Sequence, residues 1–310
     1  MRAIVQQSFG TPDVLVPAEV DRPGPLPGDI VVRVRAASVN PIDAYTRSGA
    51  FPLLGAPPFT VGWDVSGVVE EVVPGVTRFK AGDEVFGMPF FPRPAGAYAE
   101  YVAAPARHFA AKPAGLDHVA AAALPLAGLT AWQALVDTAE VGPGARVLIH
   151  GAGGGVGHLA VQIAKARGAE VLATASPAKR DFVRSLGADR VIDYTAGDFA
   201  AGLTGVDVVI DGIGGGYGQR SLPVLAPDGL LITLVERTST ELADAATAAG
   251  RRFTGLTVEP DHVGLEALAG LVADGRLRPH VQHVLPLEEA AKAHELIESG
   301  RTQGKIVLTV

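Results

Sequence analysis

Arg146–Ala175, RVLIHGAGGGVGHLAVQIAKARGAEVLATA, is the stretch that decides the fold of this chain. It opens with a short apolar run, Arg146–His150, of the kind that a buried parallel strand requires, and continues into a glycine-rich turn, Gly151–Gly157. Apolar residues then recur at helical spacing over Val156–Arg167, and a second apolar run follows. The pattern predicts a strand, a tight turn, a helix and a second strand.

The glycines of this turn are suited to a bound pyrophosphate. Without a Cβ they allow a sharp turn, a close ligand and close packing of helix on strand, and the start of the helix offers unpaired N–H groups. The spacing is G-x-x-G-x-x-G and not the usual G-x-G-x-x-G, so a glycine-rich turn without a ligand remains the alternative. We predict a dinucleotide site whose members in the turn are Gly151, Gly154, Gly155, Val156 and Gly157.

The residues after the second strand indicate which dinucleotide binds. NAD sites usually place Asp or Glu about 20 residues beyond the turn, where it holds the ribose 2′-hydroxyl. Here Ser176, Lys179 and Arg180 follow the strand, and that segment contains no carboxylate. A hydroxyl and two cations suit a 2′-phosphate, which predicts NADPH. Alternatively, Ser176 caps the next helix and the two cations are surface charges.

Composition limits the remaining possibilities. The chain has 310 residues, 48% hydrophobic and 19% charged, which suits two domains with sizeable cores. A net charge of −7 argues against nucleic acid or an anionic membrane as the main partner. The absence of cysteine excludes disulfides, thiolate nucleophiles and cysteine-ligated zinc. The N-terminus lacks the apolar core of a signal peptide, and Pro125 and Gly128 interrupt the longest apolar stretch, so we expect a cytoplasmic protein.

The order of patterns along the chain predicts two domains. Met1–Val102 has short β-rich runs between Pro and Gly turns and predicts a compact β-domain without regular helices. After a helical stretch, Ala120–Ala139, six strands alternate with helices, which predicts an α/β fold with a doubly wound parallel sheet. The tail is expected to return to the first domain. The predicted bounds are 1–122 with 276–310, and 123–275; the six strands are Val147–His150, Val171–Ala175, Arg190–Asp193, Val206–Asp211, Leu230–Val235 and Phe253–Val258.

Seven separated motifs, in order, carry a resemblance to a known family. Besides the glycine turn they are NPIDAYTRSG at 40–49, GWDVSGVV at 62–69, GDEVFG at 82–87, GAYAEYV at 96–102, LPLAGLTAWQAL at 124–135 and GKIVL at 304–308. Together they resemble the zinc-independent medium-chain dehydrogenase/reductases, and within them the NADPH:quinone oxidoreductase (ζ-crystallin-like) group. This resemblance implies a GroES-like β-rich catalytic domain, a Rossmann domain, an interdomain cleft and commonly a homodimer.

The departures from the zinc branch of this family bear on metal binding. That branch has Gly-His-Glu where this chain has Gly62-Trp63-Asp64, and its cysteine ligands have no counterpart here. His280 and His283 are separated by a spacing that places them on opposite faces of a strand, so we expect no metal ligation by them.

The resemblance also implies a reaction and its residues. Hydride would pass from NADPH to a quinone or another electron-poor α,β-unsaturated carbonyl, and a hydrogen-bond donor would stabilise the negative oxygen of the acceptor. Tyr45 is the expected donor, although its ring could instead pack under the coenzyme while solvent supplies the proton. Asn40 would order the nicotinamide ribose or form an Asx turn before Pro41. Asp43 is expected to cap a short helical turn.

Four further residues are expected at the coenzyme by resemblance or by position. Thr130 would contact it near the phosphates and nicotinamide, or pack within its helix. Asp211 and Val235 end the fourth and fifth strands, where loops meet a bound dinucleotide, and Asp211 could equally brace its loop. Lys305 would reach the coenzyme or cover it.

Two other functions remain open at this stage. The same scaffold serves enoyl-thioester and enone reduction, and a bulky thioester would want basic residues, for which Arg47 and Arg93 are available. A weakly catalytic NADPH-binding protein with a structural or RNA-binding role is the other possibility, although the acidic balance argues against RNA.

Overall fold

A computed structural model describes all 310 residues, which divide into two compact units. The first comprises Met1–Leu129, Glu259–Gly275 and Pro279–Val310, and the second comprises Thr130–Val258 and Arg276–Arg278. The sequence had predicted that the second domain extends to residue 275, whereas the structure groups the segment 259–275 with the first unit.

The first unit is built on a seven-stranded sheet. The strands of this unit are β1 Arg2–Val5, β2 Val16–Glu19, β3 Asp29–Val39, β4 Val65–Val72, β5 Glu84–Gly87, β6 Tyr101–Pro105, β7 Phe109–Ala111, β14 Val281–Pro286 and β15 Lys305–Thr309. The order in the sheet is β14-β15-β3-β4-β5-β7, with β6 paired to β3, and β1 and β2 form a separate antiparallel pair. The return of the tail to this unit is confirmed, since β15 pairs antiparallel with β3. Valine, isoleucine and aromatic side chains from these strands fill the core.

The helices of the first unit include one that the sequence did not predict. These helices are α1 Pro41–Ser48, α2 His118–Ala122, α8 His262–Ala273 and α9 Ala290–Glu298. The expectation of a first domain without regular helices was wrong, because α1 is a regular helix of 8 residues that starts at a proline and ends at Gly49 in the left-handed region, φ 81°. A further helix, α3 Pro125–Trp132, continues as a π-helical stretch, Gln133–Thr138, and spans the boundary between the units.

The second unit confirms the predicted doubly wound parallel sheet. Its six strands are β8 Arg146–Ile149, β9 Glu170–Ala175, β10 Arg190–Asp193, β11 Val206–Asp211, β12 Leu225–Thr233 and β13 Arg252–Gly255. They lie in the order β10-β9-β8-β11-β12-β13, which is the dinucleotide-binding order that places the first strand at the centre. The helices are α4 Gly155–Ala166, α5 Arg180–Ser185, α6 Tyr217–Ser221 and α7 Thr240–Ala248.

The bounds of two strands differ from the prediction by more than one residue. β12 begins at Leu225 and not at Leu230, because the preceding helix stops early, at a proline-containing 3₁₀ turn, Leu222–Val224. β13 ends at Gly255 and not at Val258. No helix of the chain has both the length and the apolar character needed to cross a membrane.

Candidate functional site

The glycine turn of the second unit has almost no room for side chains. β8 ends at Ile149, Gly151 takes the left-handed conformation with φ 64°, and α4 begins at Gly155. A Cβ at Gly157 would lie 2.3 Å from the carbonyl oxygen of Gly151 and 2.6 Å from the Cα of Ala152. The helix therefore packs directly on the backbone of the turn, and only glycine fits at this position.

The start of α4 presents N–H groups that the helix itself does not use. The N–H of His158 makes the first bond back to Gly154, at 3.0 Å. The N–H groups of Gly155, Val156 and Gly157 precede it and have no earlier helical carbonyl to reach. With the positive end of the helix dipole, they form a group of donors suited to a phosphate. The predicted turn residues thus lie together at one helix terminus.

The segment after β9 lies against this turn through Lys179. The side chain of Lys179 covers Gly153, since a Cβ added to that glycine would be 2.7 Å from the lysine Cδ. Partial burial lowers the pKa of Lys179. Ser176 precedes a 3₁₀ turn, Pro177–Lys179, but its side chain makes no capping hydrogen bond. The hydroxyl of Ser176 is therefore not engaged in the capping role that the sequence left as an alternative.

The Ser176–Arg180 segment itself contains no carboxylate, but strand pairing brings one close to it from the next strand. β10 runs parallel to β9 with Asp193 opposite Ala175, so the carboxylate of Asp193 lies beside the residue that precedes Ser176. Its Oδ2 is 3.6 Å from the Nη2 of Arg180. The linear sequence hides this neighbour, because Asp193 belongs to the next strand along the chain.

Two loops at the carboxyl ends of the central strands hold other predicted residues. The Oδ1 of Asp211 accepts hydrogen bonds from the N–H groups of Ile213 at 2.9 Å and Gly214 at 3.0 Å, so this carboxylate braces its own loop. Val235 is half exposed, and its N–H donates to the Oγ1 of Thr233 at 3.3 Å. Thr130 is buried in α3.

In the first unit, the pairing of β15 with β3 brings together residues that are far apart in the sequence. Ile306 lies opposite Val39, which places Lys305 beside Asn40. The Nζ of Lys305 donates to the side-chain Oδ1 of Asn40 and, at 3.2 Å, to the carbonyl of Val39. Burial lowers the pKa of Lys305, and the nearby carboxylate of Asp64 opposes that shift.

Asp64 completes this buried cluster, which we call the Asn40 cluster: Ser38, Asn40, Asp64 and Lys305. The Oδ2 of Asp64 accepts from the Nδ2 of Asn40 at 2.8 Å and from the hydroxyl of Ser38, and it lies 3.6 Å from the Nζ of Lys305. Its Oδ1 accepts from the N–H of Leu126 at 2.6 Å. The amide of Asn40 is thus held between an anion and a cation, so its orientation is fixed.

In the sequence, Asp64 was identified only as a departure from the zinc-branch motif. The sequence did not predict that Asp64 would organise the site, because its partners lie at 38, 40, 126 and 305. The Asn40 side chain is engaged by Asp64 and Lys305, and Lys305 is directed into the protein interior.

Asp43 lies next to this cluster in a second buried group. Its Oδ2 accepts from the backbone N–H of Asn40 at 2.7 Å, which caps α1, and from the hydroxyl of Tyr98 at 3.1 Å. Complete burial raises the pKa of Asp43 to about 7, with the charge of Asp64 adding to the shift. The Tyr98 hydroxyl also contacts the Nε2 of His294 at 3.2 Å, and burial lowers the pKa of His294 to about 3.

Tyr45 differs from these neighbours because it is accessible. It lies on α1 with 52% of its surface exposed. Its carbonyl accepts from the N–H of Phe51 at 3.1 Å, which places the Phe51 loop next to the end of the helix. Arg47, on the same helix, is buried and pairs with Glu298.

The structure contains no group of three or more His, Cys, Asp or Glu side chains arranged to hold a metal ion. His280 precedes β14 and His283 lies within it, and neither belongs to such a group.

These features define a class of protein: a chain of two units, the second of which has the strand order and the glycine turn of dinucleotide-binding domains. Comparison with known proteins agrees. A family model described as "Alcohol dehydrogenase GroES-like domain" matches residues 26–114, and one described as "Zinc-binding dehydrogenase" matches residues 186–308.

Relatives of similar length match along nearly the whole chain. The chain is 35% identical to a quinone oxidoreductase of Rattus norvegicus, over 99% of this chain and 97% of the rat protein. It is 37% identical to a 2-haloacrylate reductase of Burkholderia sp, over 99% and 98%. The crystal structure of Escherichia coli quinone oxidoreductase complexed with NADPH superposes with a TM-score of 0.90 at 31% identity and covers 100% of both chains. The chain belongs to the zinc-independent medium-chain dehydrogenase/reductases, in the quinone oxidoreductase group.

Proposed function

We propose that this protein is an NADPH-dependent reductase that transfers hydride, without zinc, to a quinone or another electron-poor α,β-unsaturated carbonyl. Full-length similarity to proteins named quinone oxidoreductase supports the activity, and the NADPH in the E. coli structure supports the coenzyme. The observation that carries the proposal is the glycine turn, in which a helix N-terminus meets backbone that admits no side chain.

The residues of the second unit fit a dinucleotide. The turn would hold the diphosphate through backbone donors, because its N–H groups are free of helical partners and no Cβ obstructs the approach. Further contacts are proposed for the loop after β11, for Val235 and for Thr130. In this proposal the members of the site in the second unit are Thr130, Gly151, Gly154, Gly155, Val156, Gly157, Ser176, Lys179, Arg180, Asp211 and Val235.

NADPH is proposed over NADH because of the residues after β9. Ser176 offers a hydroxyl without a capping bond, and Lys179 and Arg180 offer two cations close to it. Such groups favour a phosphate over a hydroxyl. The negative charge of Asp193 would repel a 2′-phosphate, so the preference for NADPH over NADH is expected to be moderate.

When bound, NADPH supplies the hydride. The chain's own residues would orient the acceptor and stabilise its developing negative oxygen. Tyr45 is proposed as the donor to that oxygen, because its hydroxyl is accessible while its backbone is fixed in α1. Asn40 is proposed to position the nicotinamide ribose, and the fixed orientation of its amide suits this role. Lys305 is proposed to act through Asn40, since its ammonium group lies within hydrogen-bond reach of that amide.

The test is a spectrophotometric assay of coenzyme oxidation. Purified protein is offered NADPH and NADH in parallel, each with 1,4-benzoquinone, 9,10-phenanthrenequinone, an enone and crotonyl-CoA. We expect turnover of NADPH with at least one quinone and slower turnover of NADH. A turn variant, Gly157→Val, serves as the control for background reduction by the coenzyme alone. Absence of turnover with every acceptor, the enone included, would refute the proposed activity.

Reduction of an activated alkene is the second candidate. It is favoured by the similarity to a 2-haloacrylate reductase, and the enone in the same assay tests it. A large thioester is less well supported, because Arg47, one of the two cations available for it, is buried against Glu298. Faster turnover of the enone than of either quinone would replace the first proposal with this one.

The assembly of the protein is a separate proposal. By resemblance to its family we propose a homodimer, and light scattering after size-exclusion chromatography tests it. A mass of one chain across the range of working concentrations would refute it.

A further inference from the structure

Asp193 is an acidic side chain that strand pairing brings to the edge where Ser176 and Arg180 lie. It is the last residue of β10, and Ala175, its partner in the parallel register, is the last residue of β9. The carboxyl ends of parallel strands form the ligand edge of such a sheet. Neighbouring strands are about 4.8 Å apart, so the Asp193 carboxylate lies close to the start of the Ser176–Arg180 segment.

One oxygen of the Asp193 carboxylate is hydrogen-bonded to Thr195, and the other forms an ion pair with Arg180. Its Oδ1 accepts from the backbone N–H of Thr195 at 2.9 Å and from the Thr195 hydroxyl at 2.6 Å. Its Oδ2 faces Arg180 at 3.6 Å, and the exposed fractions are 14% for Asp193 and 41% for Arg180. The two bonds from Thr195 and the charge of Arg180 lower the pKa of Asp193, so it is ionised at neutral pH.

We infer that Asp193 is a specificity-determining residue that weakens discrimination in favour of the 2′-phosphate. Its carboxylate shares Arg180 with the phosphate and, being fixed by Thr195, repels the phosphate charge. This inference rests on the proposed coenzyme site. Because the Arg180 pair is partly exposed, the effect is modest and sensitive to salt.

The substitution Asp193→Asn removes the charge and keeps the shape. The asparagine oxygen still accepts from Thr195, while Arg180 is released. The matched control is Glu170→Gln, at the opposite end of β9, where Glu170 pairs with Arg146 at 2.8 Å and is 46% exposed. Both variants change the net charge equally, but only the first changes it at the ligand edge.

The measurement is calorimetric binding of adenosine 2′,5′-bisphosphate and of adenosine 5′-monophosphate, which requires no turnover. Asp193→Asn is expected to tighten the bisphosphate about threefold to fivefold and to leave the monophosphate unchanged, with the gain shrinking at high salt. Glu170→Gln is expected to change neither. Arg180→Met should lose more bisphosphate affinity in the Asp193→Asn background than in the wild type, because Arg180 is then fully available.

Two outcomes separate this inference from the proposed function. If the wild type oxidises NADPH with a quinone but Asp193→Asn binds the bisphosphate no better than Glu170→Gln does, the specificity role of Asp193 is wrong and the proposed function stands. If the wild type binds neither nucleotide, the coenzyme site itself is wrong.

Discussion

The Asn40 cluster and the glycine turn represent two different ways of building a site. The cluster is buried and formed by side chains that fix one another through charge-assisted hydrogen bonds. The turn is formed by backbone, and its specificity depends on the absence of side chains at Gly151 and Gly157. Removing one side chain of the cluster should therefore cost much folding free energy, whereas in the turn the damaging change is the addition of a side chain to a glycine.

This difference predicts opposite sensitivities to mutation. In the cluster, removal of one charge leaves the other buried and uncompensated. In the turn, changes of charge at the rim, at Lys179, Arg180 or Asp193, act on groups that remain partly exposed to solvent and should be weaker. Mutations in the Asn40 cluster should mainly lower folding stability, and mutations in the glycine turn should mainly lower coenzyme affinity.

The largest effect on coenzyme binding is expected from Gly157→Ala. The new Cβ would lie 2.3 Å from the Gly151 carbonyl oxygen, so the turn and the start of α4 must separate. We expect KM for NADPH to rise about 100-fold, because a small displacement of positioning groups has effects of this size. Steady-state kinetics measures it, with Gly197→Ala as the control, since a Cβ there meets nothing within 4 Å. Equal KM values for the two variants would show that the turn does not contact the coenzyme.

The largest effect on stability is expected from Asp64→Asn. This change leaves the ammonium of Lys305 buried without its anion, and the new amide group opposes the donors from Ser38 and Leu126. We expect a loss of about 3 kcal/mol in the free energy of unfolding. The double variant Asp64→Asn/Lys305→Met should recover part of this loss, because no charge then remains unpaired. Additive losses in urea denaturation would mean that the two groups do not interact.

Reversal of charge at the rim of the turn should have an intermediate effect. Lys179→Glu with Arg180→Glu is expected to raise KM for NADPH more than KM for NADH, because only NADPH carries the extra phosphate. Lys179→Met separates loss of charge from loss of packing at this position, since it keeps an apolar side chain over Gly153 and removes only the charge. An equal rise in KM for both coenzymes would reject these cations as phosphate ligands.

Sequence reasoning succeeded where structure follows from local pattern. The strand, turn and helix over 146–167 and the doubly wound parallel sheet were predictable, because apolar periodicity and glycine spacing act over short distances. Asp193 and the Asn40 cluster were not, because they depend on strand register: Asp193 meets Ala175, and Lys305 meets Asn40 across 265 residues. Helix α1 was underestimated, since the pattern around Pro41 indicated only a short turn.

A pH-dependent effect on stability is expected from Asp43. Its pKa is raised to about 7 in the folded state by burial, from a usual value of 3.8, so the folded protein binds more protons than the unfolded chain between these values. The stabilising contribution of the protonated form is therefore present at acid pH and is lost as the pH rises to about 7. The charges that face this carboxylate are Asp64 and Lys305, and Tyr98 donates to it.

The comparison with Asp43→Asn isolates this contribution. His150 and His294, whose pKa values burial lowers to about 3, destabilise the fold at acid pH in both proteins and cancel in the difference. As the pH rises from about 4 to about 7, the unfolding free energy of the wild type should fall relative to that of the variant. A difference between the two that is constant over this range would show that Asp43 does not titrate within it.

The smallest effect is expected from Tyr45→Phe, and its form distinguishes two roles. Because Tyr45 is 52% exposed, the substitution should leave the unfolding free energy within about 0.5 kcal/mol of the wild type. If the hydroxyl donates to the acceptor oxygen, kcat falls, by about tenfold, while KM for NADPH is unchanged, since that bond forms only as charge develops. If the ring instead packs against the coenzyme, the phenylalanine preserves that contact and both parameters stay at the wild-type values. Tyr45→Ala would then raise KM for NADPH and leave kcat unchanged. Kinetics of the two variants with the same quinone therefore decides whether the accessible residue of α1 contributes its hydroxyl or only its ring.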